Sequence, residues 1–205
     1  MAGHGSGLRT LHSGQPYCLA SLSRGLSMQV QQSHPLEPFF QQAVRNSYEG
    51  RLGLGPEITG YVSKMLCDFS EPGSLFRLRD AKNRLIERLD DMVKASDPIH
   101  GTARSFIAER TVRKYIGDYT LFLAGMCPEA IEPDPNANST RPTLSELIRV
   151  GKESYHIVSQ FNVFEYEKEA PLYAQLASVF EHCILGLAIA RRDLWRTMNP
   201  PTPVN

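Results

Sequence analysis

Glu153 and His156 stand three residues apart in Glu153-Ser154-Tyr155-His156, a spacing that puts a carboxylate and an imidazole on one face of a helix, within reach of one metal ion. Carboxylate-bridged dimetal bundles need that motif twice, with two further glutamates, and here it occurs once. Glu181 and His182 are consecutive, so on a helix their side chains diverge by about 100° and do not share a ligand. Helical phase also sets Glu153 and His156 opposite Tyr155 and Val158, on the side expected to meet water. The plainer reading of the pair is a solvated face.

Asp118, in the block YIGDYTLF, is the second candidate. It falls at the edge of an apolar stripe, four residues after Lys114. With Tyr119 and with Tyr155 or His156 it would make a ligand-binding or acid–base pocket between helices 98–126 and 143–162. The competing reading is a structural ion pair of Asp118 with Lys114 or Arg113, because a buried carboxylate needs a partner. The run Glu165, Glu167 and Glu169 would bind a cation, or would simply favour the N-terminus of the helix that follows. Cys183 beside His182 points about 100° away from it and reads as a core thiol.

The standard templates are missing: the sequence has no GxGxxG, P-loop, GxSxG, HExxH or CxxC. Nothing therefore implies a cofactor.

Composition narrows the classes further. The 205 residues suit one domain, which would bury roughly 70% of its unfolded surface. Twenty-two basic residues balance 22 acidic ones, so no overall field favours nucleic acid or an anionic membrane. No apolar run approaches the roughly 20 residues of a membrane span. Cys18, Cys67, Cys127 and Cys183 are scattered, as expected for reduced thiols of a cytoplasmic protein.

The elements that must position these residues read as helices, about six of them, making an all-α bundle over 33–197. Residues 1–32 read as a disordered leader and 198–205 as a disordered tail, with Met28 a natural start for the ordered protein. A first helix is expected near 35–51, capped by Ser33, and a second from Pro56, carrying Ile58, Tyr61, Val62, Met65, Leu66 and Phe69 inward. A third is expected over 74–95, burying Leu75, Leu78, Leu85, Leu89 and Met92. Its outer charge ladder would align Arg77, Arg84 and Arg88 as a solvated strip. The longest spans 97–127, with Asp97 as cap and Pro98 at its first position, and its stripe includes Val112, Ile116, Tyr119, Phe122 and Met126. After a Pro-rich loop, Thr143 and Glu146 form a capping box for a helix to about 162. One long helix is expected over 171–196, with Leu185 and Ile189 flanking its core stripe.

The blocks RKYIGDYTLFLAGMCPE, GKESYHIVSQF and FEYEKEAPLYAQLA resemble those of a group of bacterial all-helical proteins without an assigned activity, over roughly 36–195. That resemblance implies a bacterial, cytoplasmic setting and transfers no catalytic residue. Missing templates and wide apolar arcs lead to a non-enzymatic module that engages a protein partner or self-associates, with no role for nucleic acid or membrane. A bundle enzyme or small-ligand binder at Asp118, Tyr119 and Tyr155 is the alternative, and metal binding through Glu153 and His156 a lesser one.

Overall fold

Apolar residues at three- and four-residue steps, punctuated by Pro, Gly and Ser, build an all-α fold. The structure, a computed structural model, describes residues 36–71, 73–74, 77–80, 82–131 and 141–199. The expected leader, Ser33, Leu75 and the tail beyond 199 lie outside the described residues, as does 132–140 of the Pro-rich loop. Seven α-helices are described: α1 (Glu37–Ser47), α2 (Pro56–Ser70), α3 (Leu89–Ala95), α4 (Phe106–Met126), α5 (Leu144–Gln160), α6 (Ala170–Ser178) and α7 (Phe180–Met198). A π-helical turn, Tyr48–Leu52, prolongs α1 until Gly53 ends it at φ 66°.

Helix α4 is the centre of the bundle. From Ile116 to Met126 every residue is buried, because α5 and α7 pack against it from different sides. Helix α6 lies against α5, and α1 closes the bundle against α2 and α7. The apolar stripe read from the sequence is therefore only one part of what α4 buries. Among the described residues no single helix is long and apolar enough to cross a membrane.

The boundary at Thr143 is as expected: its Oγ1 accepts from the Glu146 amide at 3.2 Å, and Glu146 Oε2 accepts from the Thr143 amide at 2.8 Å. Three other expectations are corrected. The helix over 74–95 shrinks to α3. Before it, the chain turns back so that Arg79 bridges Leu85, with Asp80 accepting from the amides of Lys82 and Arg84 and Asn83 in the left-handed region at φ 61°. Short polar side chains that bond their own backbone compete with a helix, and here they win. Leu85 is consequently exposed and Ile86 is buried in its place, and the Arg77, Arg84 and Arg88 strip does not form on a helix.

The central helix starts eight residues later than expected, at Phe106, with Ser105 Oγ accepting from the Ala108 amide at 3.1 Å. Asp97 caps a separate turn, accepting from Ile99 and His100. The chain at Gly101 runs so close to α3 that a Cβ there would stand 2.3 Å from the Lys94 carbonyl oxygen, and Thr102 and Ala103 bond the Ala95 carbonyl. That contact fixes the turn and rules out continuous helix.

The last helix is two, α6 and α7, meeting at 79°. The Ser178 hydroxyl and the Val179 amide both turn back to the Gln175 carbonyl, closing α6. The bend lets α6 cover α5 while α7 lies on α1 and α4.

Candidate functional site

Helix α4 carries Lys114 and Asp118 one turn apart, and the surrounding helices bring three tyrosines to them. Asp118 Oδ2 accepts from Lys114 Nζ at 2.7 Å. Its Oδ1 accepts from the Tyr155 hydroxyl of α5 at 2.8 Å and from the Tyr61 hydroxyl of α2. Tyr173 of α6 completes the cluster, its ring 5.6 Å from Tyr61 and 5.9 Å from Tyr155. Asp118 is buried, and Gly117 beside it is what admits the Tyr155 ring: a Cβ there would stand 2.5 Å from Tyr155 Cε1.

Burial, reinforced by the Asp118 charge, holds the Tyr61 and Tyr155 hydroxyls well above the ordinary tyrosine range. Burial likewise raises Tyr173. For Lys114, burial pulls downward most strongly, but the Asp118 charge and hydrogen bond together with Tyr173 outweigh it, and the ammonium is held above its ordinary value. At neutral pH the tyrosines are thus donors, not bases or nucleophiles. Three donors already engage one carboxylate, and the arrangement ties α2, α4 and α5 together.

Of the residues expected to line a pocket, Asp118 and Tyr155 are brought together. Tyr119 is not with them: one residue further round the helix, it stacks on Tyr115 with centroids 6.0 Å apart. Tyr61 and Tyr173 were missed as members. The signal available for Tyr61 was its place in the buried stripe of α2, where a hydroxyl requires a partner.

Glu153 pairs with Arg149 at 3.4 Å and Arg113 at 3.7 Å, while His156 is exposed. Among the described residues no group of three or more His, Cys, Asp or Glu is placed to hold a metal. Glu169 accepts from the buried Arg110 at 2.5 Å, and that guanidinium lies 3.9 Å over the Tyr166 ring. Cys183 is buried, its thiol pushed up to about 12 by burial.

The surface offers something different. Where α4 begins and α5 ends, Phe106, Ile107, Phe161 and Val163 edge a groove of about 640 Å³, closed by Phe164 and Tyr166. Phe106 is 79% exposed and Phe164 86%. The Phe106 and Phe161 rings meet edge-on at 6.3 Å. Phe164 also has φ 53°, a left-handed backbone that a bulky residue rarely adopts. The stacked Arg110 guanidinium and its bond to Glu169 hold the 164–169 segment against α4.

Among the described residues the chain folds as an all-α bundle with a buried polar tie and an exposed aromatic groove. No protein-family model, curated protein or solved structure matches it.

Proposed function

We propose that the chain is a non-enzymatic interaction module that docks a protein, or another copy of itself, through the groove edged by Phe106, Ile107, Val163 and Phe164. One observation carries this reading. Phe164 combines a left-handed backbone with a ring left in water. Strain of that kind costs on the order of 1–3 kcal/mol and is kept where it serves a function. An aromatic patch beside a groove is the usual form of a docking surface, since Phe and Tyr give large contact area with few torsions to fix.

The alternative, ligand binding at Asp118, Tyr119 and Tyr155, has less support, because the carboxylate is already engaged by three donors and Tyr119 faces elsewhere. A bacterial, cytoplasmic setting belongs to the proposal. It rests on the resemblance and agrees with the free thiols of Cys67 and Cys183.

The experiment is photo-cross-linking of the full chain carrying benzoylphenylalanine at position 164, with the same group at position 42 of α1 as control. Irradiation of the purified protein and of cell extract containing it should give a discrete adduct of higher mass from 164 alone. Equal labelling from both positions, or none from either, would sink the reading.

A further inference from the structure

The charges around the groove identify the kind of partner it takes. Among the described residues, one charged side chain lines the groove itself, Glu165, and it is exposed. The nearest buried cation, Arg110, is turned inward and held by Glu169 and the Tyr166 ring. Charges of both signs lie close in sequence, Glu167 and Lys168 after Glu165 and Arg104 before α4, so Glu165 is the charge the groove itself presents. The most exposed apolar side chains of the groove, Phe164 and Phe106, project at the rim, so a small apolar molecule lodged between them would leave both wet. A larger partner covers them. A membrane surface would also do so, but anionic headgroups would meet Glu165 with like charge.

We infer that the groove takes a protein segment that sets two or more large apolar side chains beside a lysine or arginine, the cation meeting Glu165. This rests on the docking role proposed above. The apolar anchors supply affinity, and Glu165 selects the partner. The mode is that of a short segment laid into a hydrophobic groove, read through spaced anchors.

The test is panning of a random dodecapeptide phage library on the full chain, followed by binding of the enriched synthetic peptides to wild type, to the double variant Ile107→Ser with Phe164→Ser, and to Glu165→Lys. Peptides with paired apolar anchors beside Lys or Arg, weakened at least 10-fold by both variants, are expected. Basic peptides are expected to tighten as salt is lowered. Enrichment of neutral or acidic peptides that lose affinity only to the serine variant would overturn the basic partner and leave the docking role standing. Peptides indifferent to the serine variant, or no enrichment, would overturn both. Circular dichroism of each variant, matching wild type, separates lost docking from lost fold. Sedimentation of the protein with vesicles of three parts phosphatidylcholine to one of phosphatidylserine should leave it in the supernatant, and co-sedimentation would overturn the choice of a protein over a lipid surface.

Discussion

Tyr155 on α5 donates its hydroxyl to Asp118 on α4 across 2.8 Å, at the crossing where Gly117 lets the aromatic ring reach the neighbouring backbone. The bond joins the two helices with the largest mutual contact in the bundle. Removing the hydroxyl alone, in Tyr155→Phe, leaves the ring packed and one carboxylate oxygen short of a donor. The expected loss is about 1–3 kcal/mol in urea unfolding. No loss would mean that Tyr61 and Lys114 satisfy Asp118 unaided.

Gly117→Ala should cost about 1–3 kcal/mol, since the added methyl meets a buried ring that cannot withdraw without leaving Asp118. The coupling is checked by a double-mutant cycle. In a Tyr155→Leu background, where that ring is gone, the same substitution should cost less than half as much.

Alkali should unfold the protein through this cluster. Tyr61, Tyr155 and Lys114 all have folded values raised above their unfolded ones, so the fold keeps its protons after the unfolded chain has lost them. Their contribution is complete below about pH 10 and falls as pH rises beyond it. Tyrosinate absorbance at high pH should therefore grow in step with loss of helical circular dichroism. Full tyrosine ionisation with helix intact would show that the hydroxyls are not held as described.

Thr143→Ala removes the acceptor for the Glu146 amide and should cost about 1 kcal/mol. The backbone amide of Thr143, chiefly, holds the Glu146 carboxyl below its ordinary value. The box is therefore intact above about pH 4.3 and is lost as pH falls below it. Amide exchange in the first turn of α5 should rise at acid pH while the centre of α4 stays protected.

The buried cluster and the capping box also show what the sequence discloses and what it does not. The capping box is local chemistry, complete within four residues, and its boundary is legible. The stripe of α2 is legible for a similar reason, since one helix face carries the whole pattern, whereas Phe39 of α1 and Leu144 of α5 share the spacing of their stripes and are nevertheless exposed. Residues 74–88 mislead because the alternation of charges suits a helix face, while Asp80 and Asn83 bond their own backbone and turn the chain. The break at Val179 has no Gly or Pro to mark it and arises from packing on two different neighbours. For the buried cluster, Asp118 and Tyr155 are readable as polar groups on or near inner faces. Tyr61 and Tyr173 become its members only when the helix crossings are known. The groove is invisible in sequence, because it is assembled from the start of α4 and the chain after α5, which lie more than 50 residues apart.

The central claim is that Phe164 serves a partner and not the fold. Its most direct test is the unfolding free energy of Phe164→Gly beside wild type. Glycine adopts φ 53° freely, which relieves strain, while its extra freedom in the unfolded chain offsets about 0.5–1 kcal/mol of that gain. The account predicts a stability within about 1 kcal/mol of wild type, on either side, together with loss of the panned peptides. A loss of about 3–5 kcal/mol, the cost of deleting a buried phenylalanine, would contradict it and make Phe164 a folding residue.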